Sequence, residues 1–296
     1  MKRRNVLKGL LTTVAGAAIL PVSALSGKEE NKKQHEKFNL KGNVNHSVCW
    51  WTYDFLSLDA LCKTVKKIGV TAIDLVGPKD WNILKENGMY SSMCNGAEIS
   101  ISEGWNNKQY HSTLIKNHIE YIQLMQKAGY KNLICFSGNK KDIDDETGLK
   151  NCEEGLKHIL GDAEKNGVII QMEVLNKKVD HPDYMANNTK WAVELCKRID
   201  SPNFKILYDI YHMQIMEGDI IATIQKNHEF FGHYHTAGVP GRHEINDTQE
   251  LYYPAIIKAI VNTGYKGYLA QEFFSTGKTD NEKINMLKEA IHLCDV

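Results

Sequence analysis

A single (β/α)8 barrel, the closed form of the α/β class, is the architecture this sequence predicts. Three observations lead to it. Short apolar runs of strand length alternate with longer stretches whose apolar residues recur at helical spacing, the signature of parallel βαβ units. These units succeed one another about every 30 residues until eight have been formed, as barrel closure requires. A length of 296 residues with 42% apolar composition supports one sizeable core, and a barrel of roughly 250 residues uses nearly all of it. An open doubly wound sheet is the alternative. Neither G-x-G-x-x-G nor G-x-x-x-x-G-K-[ST] occurs to support it, and no organic cofactor is expected.

The first segment reads as an address and not as fold. Arg3-Arg4 precede an apolar run from Gly9 to Leu20, and Val22-Ser23-Ala24 forms a small-residue cleavage site. Residues 1–24 therefore resemble a twin-arginine-type signal, and the protein is expected to be exported to the periplasm. A plain secretory signal is the alternative. The apolar run is too short for a membrane anchor, so no stable membrane insertion is expected after processing. Residues 25–42 are polar and charged, a linker to a barrel domain over 43–296.

The strand candidates follow in order: SVCWW (47–51), AIDLV (72–76), MYSSMC (89–94), NLICF (132–136), VIIQMEV (168–174), KILYDI (205–210), FFGHYH (230–235) and GYLAQEF (267–273). The third is polar and Ser-rich. Between them run helical stripes: Leu58, Leu61, Val65 and Ile68; Ile115, Ile119, Ile122 and Met125; Leu149, Cys152, Leu156 and Ile159. Ala192, Leu195, Cys196 and Ile199 repeat the pattern, as do Ile284, Leu287 and Ile291. Gly69, Gly129, Gly167 and Gly264 each separate a helical stretch from the next strand, where a left-handed residue can end a helix.

Seven scattered cysteines without a C-x-x-C pair give neither a zinc knuckle nor a disulfide framework, and read as small buried hydrophobes. Cationic and acidic residues are equal at 36 each. Four of the cations (Lys2, Arg3, Arg4, Lys8) fall in the address, leaving a mildly acidic remainder that argues against a nucleic-acid partner. A homo-oligomer is compatible with the sequence.

In such a barrel the reacting groups sit where strands run out into the βα loops. Strand five ends in Glu173, strand six in Asp209, strand seven in His235 and strand eight in Glu272. One acidic residue at a strand end is an ordinary loop group. Four polar ends in consecutive units, each preceded by apolar residues, point to a site, because a charge ending a buried strand needs a partner. Three carboxylates and one imidazole suit one hard or borderline divalent ion, Mn²⁺, Mg²⁺ or Co²⁺ in preference to Zn²⁺. Around them lie Asn176, Lys178 and His181 after strand five, His212 after strand six, and Arg242 after strand seven, a side chain able to grip a carboxylate or phosphate. Strand one offers His46 and two tryptophans, Trp50 and Trp51, which either stack on a sugar face or pack in the core. Glu98 and Trp105 fall in a candidate lid loop.

The segments EVLNKKVDHPDY (173–184), LYDIYHMQIMEGD (207–219), GHYHTAGVPGRHEI (232–245), LYYPAI (251–256) and GYKGYLAQEF (264–273) together resemble the hydroxypyruvate isomerase branch of the xylose-isomerase-like barrels, over about residues 46–293. The resemblance implies a metal-dependent isomerase or 3-epimerase acting on hydroxypyruvate or a related keto-sugar, a small keto-sugar or hydroxy-keto acid. It implies that Glu173 and Glu272 are both metal ligands and the acid/base pair, that Asp209 and His235 complete the metal shell, and that His212 and Arg242 bind substrate. His181 and Trp50 are added as substrate-binding candidates from their positions. The chain departs from that branch in carrying His235 where glutamine is common, as the ketose 3-epimerases do. Two other classes compete. A metal-dependent abasic-site endonuclease would want more histidine ligands and a basic groove. A non-catalytic carbohydrate-binding barrel would need no paired glutamates.

Overall fold

Each strand-like run forms a strand in the computed structural model, which describes residues 39–296. They are β1 (Asn45–Cys49), β2 (Ala72–Asp74), β3 (Tyr90–Met93), β4 (Asn132–Cys135), β5 (Ile169–Glu173), β6 (Phe204–Asp209), β7 (Phe231–Thr236) and β8 (Tyr268–Gln271). The helices among the described residues are α1 (Leu58–Lys66), α2 (Trp81–Asn87), α3 (His111–Ala128), α4 (Asp145–Asn166), α5 (Thr189–Ile199), α6 (Ile210–Met216), α7 (Ile220–Asn227), α8 (Tyr253–Asn262) and α9 (Asp280–Cys294). The signal read at 1–24, and the linker as far as residue 38, lie outside the described residues. At the end of the linker segment the Lys41 amide donates to Asp295 Oδ2 at 2.8 Å, and Leu40 packs on the core.

The sheet is parallel throughout, in the order β3-β2-β1-β8-β7-β6-β5-β4. Its two ends meet at Cys94, whose amide donates to Asn132 O (2.8 Å) and whose carbonyl accepts from Ile134 N (3.0 Å). Eight strands thus close on themselves, with helices alternating between them. No described helix is long and apolar enough to cross a membrane.

Local chemistry explains the helix boundaries. Ser57, Asp144 and Asn188 each accept an amide hydrogen bond at the N-terminus of α1, α4 and α5, and Thr279 with Glu282 forms a reciprocal capping box on α9. Gly129 and Gly167 take the left-handed conformation that ends α3 and α4, as predicted. On α3 the buried face is rotated from the predicted stripe. His111, Leu114, His118, Ile122 and Met125 face inward, while Ile115 and Ile119 are half-buried. Trp105 explains the rotation: its buried ring meets His118 edge-on at 5.1 Å, and its carbonyl bonds His111. All seven cysteines are buried and unbonded to one another.

Candidate metal and carbonyl site

The register places the four predicted strand ends together. Asp209 stands opposite His235 across β6 and β7, and Glu173 and Glu272 flank them from β5 and from the residue after β8. One donor atom from each of Glu173, Asp209, His235 and Glu272 lies within 4.8 Å of every other. His235 Nδ1 is central, 3.1 Å from Glu173 Oε1 and 2.9 Å from Glu272 Oε2. All four side chains are buried. A clustered set of three carboxylates and one imidazole nitrogen fits a single divalent cation, because like charges held this close need a positive partner.

Asp209 owes its orientation to the turn that follows it. It is the N-cap of α6, and its Oδ1 accepts from the His212 amide at 3.0 Å, the bond that the D-x-x-H spacing permits. Its Oδ2 is turned to the side of His212 Nε2 and Arg242 Nη2, at 3.6 and 3.8 Å. Burial pushes the Asp209 carboxyl up to about 7, against the pull of Arg242 and with Glu272 and Glu173 adding to the rise. Burial likewise raises Glu173. Burial also opposes the charge on Glu272, yet His235 and Arg242 outweigh it and hold that carboxyl well below the usual range. His235 moves the other way: desolvation disfavours its cation, but Glu272, Asp74 and Glu173 raise it well above its ordinary value.

Arg242 sits over this cluster. Its Nη2 is 2.6 Å from Glu272 Oε2 and 3.8 Å from Asp209 Oδ2, and its guanidinium stacks on Trp51 at 5.3 Å and Tyr211 at 5.4 Å. The carboxylates within reach of Arg242 in this structure are the protein's own. The backbone of Arg242 is left-handed (φ 57°), a strained state that persists only where surroundings over-determine it. Those surroundings include Glu244, tied to Thr276 through both carboxylate oxygens (2.6 and 2.9 Å).

A cavity of about 250 Å³ opens above the cluster. Glu173, Glu272, Arg242 and His181 border it, and the rest of its wall is largely apolar: Trp51, Leu75, Ile101, Ile134, Phe136 and Leu175, with Asn95 and Glu98. Burial raises the Glu98 carboxyl. His181 meets His212 edge-on at 5.4 Å. His212 itself is fully buried and is not part of the cavity wall; Asn176 Nδ2 donates to its Nδ1 at 2.7 Å, and its Nε2 lies 3.6 Å from Asp209 Oδ2. Lys178 is drawn away to the carbonyls of Ile215 and Met216 at the end of α6.

Of the two tryptophans that follow β1, Trp51 borders the cavity and Trp50 does not. The first strand stops at Cys49 and passes into a helical turn over Trp50–Tyr53, so alternation fails there. Trp50 turns to Leu56 O (3.4 Å), while Trp51 donates to Glu272 Oε1 at 2.8 Å and stands edge-on to Phe274. His46 lies at the start of β1 beside Asp295, and Trp105 is core; neither is at the cavity.

One site residue has no counterpart in the predicted set. Asp74 ends β2, is fully buried, and holds His235 Nε2 at 3.0 Å through Oδ1 and His233 Nε2 at 2.9 Å through Oδ2. Two strands, β1 and β8, separate β2 from β7 in the sheet, so these contacts cross the barrel interior. An aspartate within AIDLV carries no signal of this, beyond interrupting an apolar run.

The family description "xylose isomerase-like TIM barrel" matches residues 62–293. The chain is 32% identical over 125 residues to a putative hydroxypyruvate isomerase of Danio rerio, covering 42% of this chain and 45% of that protein. In three curated relatives, two putative hydroxypyruvate isomerases and a 2-oxo-tetronate isomerase, the match spans 45 to 46% of their length. A 2-oxo-tetronate isomerase of Pectobacterium atrosepticum is 27% identical over 234 residues, 74% of this chain and 87% of that one. Among solved structures, D-psicose 3-epimerase from Clostridium cellulolyticum H10 superposes with a TM-score of 0.70 at 18% identity, covering 85% and 98% of the two chains. An AP endonuclease, family 2, from Brucella melitensis does so at 0.72 and 22% identity, covering 81% and 96%. At such identities these likenesses speak for the fold.

Proposed function

The chain belongs to the xylose isomerase-like TIM-barrel family, and from that premise we propose that it is a metal-dependent isomerase or epimerase that moves a proton beside the carbonyl of a keto-sugar. The observation that carries this reading is the facing of Glu173 and Glu272 across His235 Nδ1 at the floor of one cavity. Two carboxylates on either side of a bound carbon allow one to take a proton and the same or the other to return it. Held by Glu173, Asp209, His235 and Glu272, a hard or borderline divalent ion such as Mn²⁺, Mg²⁺ or Co²⁺ would supply charge compensation as the substrate becomes an enediolate. Glu173 and Glu272 are the acid/base pair. Asp209 is kept in place by its cap on α6. Arg242 balances the carboxylates and keeps Glu272 ionised, and the aromatic and aliphatic wall excludes water from the reacting carbon. His181 and Trp51 border the substrate.

The charge pattern supports a neutral substrate over hydroxypyruvate. Among the described residues Arg242 is the one Lys or Arg on the cavity wall, and Glu272 already engages it. A substrate carboxylate would enter beside Glu98 and Glu173 with no uncommitted cation, an unfavourable exchange for its hydration. Incubation in D₂O with the full chain and Mn²⁺ tests this: neutral ketoses and keto-glycosides take up deuterium at carbon, and hydroxypyruvate does so at least about tenfold more slowly, a difference of about 1.4 kcal/mol. Equal or faster exchange into the keto acid defeats the neutral assignment, and exchange into none defeats the isomerase reading.

Metal affinity is expected to rise with pH between about 6 and 8. The sign follows from Asp209, raised to about 7, and from His235, raised well above its ordinary value. Both hold protons below neutrality that an incoming cation must displace. Calorimetry in buffers of different ionisation heat reads this as proton release that is larger at pH 6 than at pH 8. Delivery to the periplasm through Arg3-Arg4 is part of the same proposal, tested by fractionating cells that express the full chain.

A further inference from the structure

Beneath the ligand cluster lies a second group of side chains that touches neither the cavity nor, by its position, any substrate. Asp74 is its centre. Ser92 donates to Asp74 Oδ2 at 2.5 Å, and Ser47 Oγ lies 3.5 Å from the same oxygen. The ion-pair partners of Asp74 are two imidazoles, His233 and His235. No lysine or arginine pairs with it among the described residues, although a buried carboxylate is costly unless firmly partnered.

The geometry of His235 shows what this carboxylate does. An imidazole coordinates a cation through one nitrogen lone pair and carries a proton on the other. Nδ1 points at Glu173 and Glu272, the ligand side, and Nε2 points at Asp74. We propose that Asp74 is a positioning residue that selects Nδ1 of His235 as the ligand atom, by accepting the proton on Nε2 and fixing the plane of the ring. Ser92 is the brace: its hydroxyl donates to Oδ2 at 2.5 Å and opposes rotation of the carboxylate away from Nε2, while His233, two residues before His235 on β7, has its Nε2 2.9 Å from the same oxygen. A ligand ring held in this way keeps its lone pair aimed at the ion, and loss of such outer partners typically weakens metal affinity 10- to 100-fold.

The inference rests on the metal-dependent reading, and titration of the metal-stripped full chain with Mn²⁺ separates the two. The parent chain binds one equivalent. Asp74→Asn, which keeps the shape and removes the charge, binds about 10- to 100-fold more weakly. In the Zn²⁺-loaded parent, the ring N–H of His235 gives a solvent-protected ¹⁵N–¹H signal, and in Asp74→Asn that proton exchanges rapidly. A parent chain that binds no Mn²⁺ overturns the metal reading and this inference together. A folded Asp74→Asn chain with parental affinity and a protected ring proton overturns the inference alone and leaves Asp74 a packing residue. Should Asp74→Asn fail to fold, Ser92→Ala removes only the hydroxyl that holds Oδ2; a smaller loss of affinity supports the proposal, and unchanged affinity refutes it.

Discussion

Glu173→Gln and Glu272→Gln each leave a folded protein and lower turnover by about 10²- to 10⁴-fold, the range for losing a positioned general acid or base. The substitutions nearly preserve volume at two buried positions, so packing changes little. What disappears is a carboxylate able to accept a proton. The two variants differ in a second respect. Glu272 also anchors Arg242 and Trp51, at 2.6 and 2.8 Å, whereas Glu173 makes neither contact. Glu272→Gln therefore also loosens the cavity wall and raises KM, while Glu173→Gln acts mainly on kcat. Deuterium uptake from D₂O and a melting curve on each purified variant provide the check. Activity within a few-fold of the parent in either would remove that glutamate from the chemistry.

On the proposed function, stripping divalent ions is expected to abolish turnover, and adding Mn²⁺, Mg²⁺ or Co²⁺ to restore it. The same ions are expected to protect the fold. Binding at a concentration one hundred times the dissociation constant stabilises the folded state by about 2.7 kcal/mol, which for a domain of this size raises the melting temperature by roughly 5–10 °C. The physical source is the neutralisation of three carboxylates that burial has brought within 4.8 Å of one another. His235→Ala removes the one nitrogen donor and should erase most of the shift. A melting temperature indifferent to saturating ion in the parent chain would count decisively against a metal centre, whatever the activity shows.

The barrel was legible because alternation of short apolar runs with helical stripes is a local property that survives into the fold. The eight strands fall within a residue or two of their predicted bounds, with β1 two residues early and β2 two residues short. The clustering of the four strand-end side chains was legible for a related reason. A charged residue that ends an apolar run marks where a strand emerges, and Glu173, Asp209, His235 and Glu272 all do so in successive units. Two features were hidden. Periodicity assigns histidine to the polar face, so the inward turn of His111 and His118 on α3 was not visible, and the stripe was drawn through Ile115 and Ile119 instead. Asp74 was hidden because its partners come from the far side of the barrel, and no spacing along the chain encodes a contact between positions 161 residues apart. Trp50 and Trp51 differ for a third reason, since the exact residue at which a strand gives way to a turn decides which of two neighbours faces the cavity.

The closure of the sheet at Cys94 divides the molecule unequally. From β4 round through β8 to β3 the ladder is continuous, yet β3 and β4 are joined through a single residue. Glu173, Asp209, His235 and Glu272 all project from the well-laced arc, whereas Ile134 and Phe136 rise on the side of the thin join, with Asn95 and Glu98. The four clustered donors therefore stand on strands paired along their length, whereas the apolar part of the cavity wall stands beside a join closed by one bridged residue. On the proposed function, substrates are expected to vary more freely at the end that meets this apolar wall than at the reacting carbons.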